Sequence, residues 1–315
     1  MLSSLPLTLR AIAFDGATAS IFASLLAFGQ PVHAQQPVGP RDSVMLSQRG
    51  DEAISVASED TYRTLPFLGE EARKRGIELP DPFGVGLVYY YLNRDIKITD
   101  VRVGRNGAPP ASASEFANLG SNSKVNNVNV KADVWILPFL NLYAIAGIID
   151  NKSTTHIDVT LPPLLPSGNP RRFQMSVPTK LSGSVGGLGA TLAGGYGPFF
   201  VAGDVNVARA DLGFDDRFRA TVSSLRAGWN GQINGRPMRV WANATYWDTF
   251  AIAKGTADDP NGGTLVFEVD QGPAHPWTYG AGFSYAPRRW FEFATDVGFD
   301  GRGGWYVAIV PVFRF

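Results

Sequence analysis

The chain has 315 residues, with 28 basic and 28 acidic side chains, 35 glycines and no cysteine. Zero net charge argues against nucleic acid or an anionic surface as the main partner, and the lack of thiols excludes disulfide frameworks and thiol-based metal sites or nucleophiles. An aromatic share of 12% and a charged share of 18%, with mean hydropathy of -0.03, suit strands that carry one oily and one polar face.

The first residues carry a sparse positive region ending at Arg10, an apolar run at 21–28, and small residues at Val32 and Ala34. We read residues 1–34 as a secretory signal peptide, with Asp15 and Gly16 interrupting the start of its apolar run. That run is too short to span a bilayer as a helix, and no later segment supplies the roughly 18 apolar residues a span needs. The exported chain is therefore periplasmic, secreted, or crosses a membrane as strands.

Residues 35–82 are polar and lack period-2 order, which predicts a short periplasmic N-terminal segment. Within it, 66–75 reads as a short helix: Pro66 stands near its start, Gly76 just past its end, and the charges run acidic then basic. Its apolar face (Phe67, Leu68, Ala72) is thin, and both a linker and a plug at the periplasmic mouth fit it.

From residue 83 the pattern becomes that of strands. Residues 84–99 form one long strand with Val88, Tyr90, Leu92, Ile96 and Ile98 on one face and Asn93, Asp95, Lys97 and Thr99 on the other. A hairpin at 93–95 would make the strand count odd. Residues 127–136 alternate strictly. Val128, Val130, Ala132, Val134 and Ile136 face one way, and Asn127, Asn129, Lys131 and Asp133 the other, as a transmembrane strand requires. A half-exposed strand of a soluble sandwich would look the same in isolation. Further strands are expected at 142–150, 181–192, 199–209, 217–229, 238–249, 277–285, 290–299 and 305–315.

Connections alternate between short (138–141, 194–198, 230–237, 286–289) and longer (105–125, 151–180, 210–216, 250–276, 300–304). This rhythm matches barrels with short periplasmic turns and longer extracellular loops. Alternation continues inside two of the long loops, at Thr155, Ile157, Val159 and Leu161, at Phe173, Met175 and Val177, and again over 263–270. It predicts hairpins that run on above the outer surface. Tyr143, Tyr196, Phe199, Phe200, Trp229, Trp277, Trp290 and Trp305 fall near strand ends, where interfacial girdles lie.

The last segment, 305–315 (WYVAIVPVFRF), carries apolar residues at Trp305, Val307, Ile309, Pro311, Phe313 and Phe315. It resembles the final strand of bacterial outer-membrane β-barrels, where alternating hydrophobics and a terminal Phe mark the chain for insertion by the barrel-assembly machinery. The fold expected over 83–315 is an all-β, transmembrane, antiparallel up-and-down barrel of about ten strands, with twelve as the competing number, in the outer membrane of a Gram-negative cell. Outer-membrane lipid and lipopolysaccharide surround such a barrel.

Alternation assigns Asn127, Asn129, Lys131, Asp133, Asp204, Asn206, Arg217, Arg219, Thr221, Arg239, Asn243, Glu292 and Asp296 to the lumen. Mixed signs in a narrow lumen must pair with one another, and ten strands lie close to the limit at which side chains fill a barrel. A filled lumen and a narrow polar path both remain open. His156 with Asp158, and Asp215 with Asp216, are the residue types that ten-stranded surface proteases of the omptin family use at their outer rim, but no family motif surrounds them. No nucleophile elbow or phosphate loop is present. The run 258–263 (DDPNGG) reads as a solvated turn without the spacing of a calcium loop. The expectation is a non-enzymatic barrel without cofactor or metal, acting in passive permeation or envelope structure, with adhesion through the extracellular hairpins to an external ligand as the alternative and a surface hydrolase third.

Overall fold

The computed structural model describes residues 65–74, 79–105, 107–112, 117–161, 171–212, 218–258 and 264–315. The expected signal peptide, 1–34, lies outside the described residues. One short helix, α1 (Gly69–Lys74), precedes β1 (Phe83–Arg105), β2 (Ala111–Ser112), β3 (Ala117–Leu137), β4 (Leu140–Leu161), β5 (Arg171–Tyr196), β6 (Phe199–Asp211), β7 (Phe218–Ile233), β8 (Arg236–Asp258), β9 (Thr264–Pro273), β10 (Trp277–Arg288), β11 (Phe291–Phe299) and β12 (Trp305–Arg314). Residues 84–99 are one strand, as parity requires, and β1 runs six residues beyond them.

Ten strands close into an antiparallel barrel in the order β1-β3-β4-β5-β6-β7-β8-β10-β11-β12 and back to β1. The seam joins β12 to β1 from Gly84↔Arg314 to Asn93↔Trp305. Phe83 and Phe315 exchange both backbone hydrogen bonds, at 3.2 and 3.1 Å, and their rings stack at 6.2 Å. No sheet edge is left facing lipid there, which is the condition for a β-structure to cross a bilayer.

Short turns gather at one end. The β7–β8 hairpin turns on Asn234 (φ 52°) and Gly235 (φ 71°), a two-residue Asn-Gly turn whose positive φ values match the twist of the flanking strands. The strands therefore extend several residues into what the sequence suggested as a loop at 230–237. α1 lies at this end too, where the Phe67 N–H donates to the Ile136 carbonyl at 2.8 Å.

At the other end the wall continues beyond the membrane belt. β4 and β5 stay paired out to Leu161↔Arg171, and β2 makes a two-residue pairing with β1. β9 pairs with β8 from Ala251↔Gln271 to Asp258↔Thr264, and with β1 from Ile96↔Pro273 to Arg105↔Leu265. It takes the place between β8 and β1 that β10, β11 and β12 occupy lower down.

The outward face is apolar around the ring, with Val130, Ile148 (62% exposed), Leu188 (69% exposed), Val201, Leu225, Tyr279, Ile309 and Phe313 all uncovered. A soluble monomer does not leave such a continuous apolar band in water. Tyr196, Phe199, Trp229, Trp277, Trp290 and Trp305 are exposed near its margins. Tyr143 and Phe200, expected in the same girdles, point inward and are buried: both carry the lumen parity of their strands, and the interior has room for their rings.

Val130→Arg places a cation on this band and is expected to cost about 2–4 kcal/mol near mid-bilayer, against little change for Val130→Leu. Urea unfolding in phospholipid bilayers measures the difference.

Candidate functional site: the barrel lumen

The lumen is the only continuous set of buried polar side chains that the strand parity builds among the described residues. Asn127, Asn129, Lys131, Asp133, Asp204, Asn206, Arg239, Asn243, Glu292 and Asp296 are all buried within it. Arg217 lies outside the described residues. Arg219 is exposed on the outer face, opposite Arg209 across β6–β7, and Thr221 shares that face. This corrects the lumen assignment of both. The inward row of β7 is Phe218, Ala220, Val222, Ser224 and Arg226. Beyond the lipid belt the outside is aqueous and the inside is packed, so the charged parity points outward there.

At the short-turn end two ion pairs cross the interior. Arg239 donates to Glu292 at 2.9 Å, with both side chains almost fully buried. Arg314 donates to Asp133 at 3.2 Å, and Asn141 donates to the same carboxylate at 2.7 Å.

Further up, two carboxylates act as hubs. Asp204 accepts from the Tyr143 hydroxyl at 2.9 Å and from Thr191 at 2.6 Å, while the Lys131 ammonium sits 3.6 Å from the centre of the Tyr143 ring. Asp296 accepts from the Trp241 indole at 2.9 Å, from Asn243 at 2.5 Å and from the Tyr306 hydroxyl at 3.0 Å; the Arg226 guanidinium lies 3.9 Å away. In both hubs an aromatic ring lies flat over an inward glycine of the next strand. A Cβ at Gly189 would collide with Tyr143, and one at Gly282 with Trp241. The missing side chain lets the ring cross the neighbouring strand, so that its polar tip reaches a carboxylate beyond.

Above the hubs the lumen becomes aromatic and aliphatic. Tyr90 lies 6.0 Å from Trp247 and 5.7 Å from Tyr306, and Leu92, Val125, Ile149, Val185, Phe218 and Val222 are buried with them. Arg94 crosses this layer, donating to Thr249 at 3.1 Å with its guanidinium 5.2 Å from the Trp247 ring. Val88, Tyr90, Leu92 and Ile96 thus face the lumen, whereas Val85, Leu87 and Tyr89 on the opposite face of β1 are exposed. Up to Leu92 both faces of this strand are apolar, so period-2 reasoning alone could not tell which one faces in.

Sequence reasoning missed Arg94, Arg226 and Arg314, and the tips of Tyr143, Trp241, Trp247 and Tyr306. Parity counted from Arg239 and Asn243 would have found Trp241 and Trp247 on the lumen row of β8.

Of the residues considered for catalysis, His156 is exposed on β4 with Nδ1 2.9 Å from the Ser176 hydroxyl. Asp215 and Asp216 lie outside the described residues. No group of three or more His, Asp or Glu side chains is gathered to hold a metal among the described residues.

These features define a closed antiparallel barrel of the transmembrane kind, with a charged and aromatic interior. No protein-family model matches the chain, and no curated protein sequence matches it. Solved structures of similar architecture are bacterial outer-membrane barrels. The toluene transporter TbuX of Ralstonia pickettii has 12% identity and a TM-score of 0.31, over 75% of this chain and 90% of its own. The transport unit of the Escherichia coli autotransporter AIDA-I has 8% identity and a TM-score of 0.34, over 74% and 90%. An outer membrane channel from Pseudomonas putida F1 has 12% identity and a TM-score of 0.31, over 76% and 97%.

Glu292→Ala strands the buried Arg239 charge and is expected to cost about 3–5 kcal/mol, whereas Arg239→Met with Glu292→Met should recover most of that loss. Heat-modifiable migration in gels, calibrated by urea unfolding in bilayers, compares the single and double variants.

Proposed function

We propose that the protein is a non-enzymatic barrel of the bacterial outer membrane, giving small polar or ionic solutes a narrow passive route. The observation that carries this is a set of buried amides without protein partners. Both polar atoms of Asn127 and Asn129 are buried and unbonded, and Asn206 is buried beside the Tyr143 hydroxyl. Buried amides of this kind are satisfied by ordered water. They lie on the β3 and β6 walls, which also supply Lys131 and Asp204, and so support a hydrated strip along one side of the lumen. The Asp296 hub and the Tyr90–Trp247–Tyr306 layer fill the other side and restrict the bore. A wide, unselective pore does not fit this interior.

On this reading residues 1–34 direct export and are removed, 35–82 remain in the periplasm, and the outward row Trp305, Val307, Ile309, Phe313 and Phe315 guides assembly into the membrane. The short-turn end then faces the periplasm and the β4–β5 extension faces out. That extension supports a second role, binding of an extracellular ligand along its paired strands.

The full chain reconstituted in a planar bilayer is expected to show small, ion-selective single-channel currents. Tyr90→Ala with Trp247→Ala should raise the conductance several-fold, because it empties the aromatic layer. Silence of both proteins would exclude permeation and leave the envelope-structural or binding role.

A further inference from the structure

We infer that three lysines on the outer face of the barrel form a binding site for the phosphate groups of an anionic lipid in the outward leaflet. Lys124, Lys152 and Lys180 are direct cross-strand partners, Lys124↔Lys152 and Lys152↔Lys180. All three are exposed, and they line one groove of about 430 Å³ together with Asn122, Thr154 and Pro178.

Like charges directly opposite one another destabilise a sheet, so such a row calls for an anionic partner. Within the described residues none of the three forms an ion pair. Two carboxylates on the same face are turned to neutral donors and form no ion pair with the row: Asp150 accepts from Ser182, and Asp95 accepts from Asn122 at 2.9 Å. The chain as a whole is neutral, so the excess is local.

Position identifies the partner as a lipid. Val128 and Ile148 are the last exposed apolar residues before the row on β3 and β4. Lys124 and Lys152 stand four residues beyond them, roughly 13 Å along the strand. Lysine stems at that distance carry their ammonium groups to headgroup depth. Asn93 pairs with both Lys124 and Trp305, so the row continues into an exposed tryptophan of the kind found at the membrane interface. Strands about 4.8 Å apart bring the three lysine stems within reach of one headgroup bearing more than one phosphate, which lysine binds as a point charge.

This inference rests on the membrane-barrel reading with its long-loop end outward. The test uses the full chain in phosphatidylcholine nanodiscs doped with lipid A, a bis-phosphorylated glycolipid, and counts retained lipid by native mass spectrometry. Wild type should retain lipid A over phosphatidylcholine. Lys124→Gln/Lys152→Gln/Lys180→Gln should lose that retention by roughly tenfold or more, and the triple Lys→Arg variant should keep it. Equal retention by wild type and the glutamine variant would overturn the inference, as would full displacement by inorganic phosphate at the lipid's concentration, which would indicate a site for a soluble ion. A single variant gives a second readout should the triple variant not fold: Lys152→Gln should raise the unfolding midpoint in zwitterionic detergent, by relieving repulsion, and lower it in lipid A. A shift of the same sign in both would also overturn the inference. A chain that enters no bilayer removes the barrel reading itself; one that enters without preferring lipid A removes only this site.

Discussion

Backbone polar groups have no water to bond with inside a bilayer, and each one left unpaired costs several kcal/mol. The seam between β12 and β1 meets this constraint, and the rest of the molecule is arranged around it. Phe315 exchanges hydrogen bonds with Phe83 at the start of β1, so the ring is closed along this whole edge of β12. β12 covers β1 only as far as Asn93. From Ile96 onward β9 takes over, and the long first strand is partnered on both sides along most of its length.

Closing a ring of ten strands leaves an interior too narrow for bulk water and too polar for a hydrocarbon core. The chain solves this with hubs in place of simple pairs. Asp204 collects two donors and Asp296 three, from different strands, which satisfies a carboxylate better than one cation could. The donors are largely the polar tips of aromatic rings. A Tyr or Trp therefore fills volume and solvates charge at once, and the glycine beneath it is what lets it reach.

The barrel was legible in the sequence because lipid imposes one rule on every strand: the outward parity must be apolar. Val128 to Ile136 and Trp305 to Phe315 obey that rule, and the second of these closes the barrel against β1. The lumen was only partly legible. Where its residues are charged, as at Asp133, Asp204 and Glu292, parity and polarity agree. Where the interior is aromatic or aliphatic, as at Tyr90, Trp247 and Phe218, no contrast with the lipid face remains. Above the belt the contrast reverses, which is how Arg219 came to be read as inward. The contacts among strands distant in sequence, such as Arg94 to Thr249 or Arg314 to Asp133, depend on ring closure and shear, which no local pattern encodes.

One strand, β9, stands between β8 and β1 where three strands stand below it. Among the described residues β6 and β7 end at that level: β8 beyond Phe250 has no partner from β7, and β5 before Ser184 has none from β6. The wall is therefore a closed ring in the membrane and an open-sided collar beyond it, with the opening between β5 and β8. That opening belongs to the part of the wall that lipid never touches, so the collar can be reshaped without disturbing any surface the bilayer must accept.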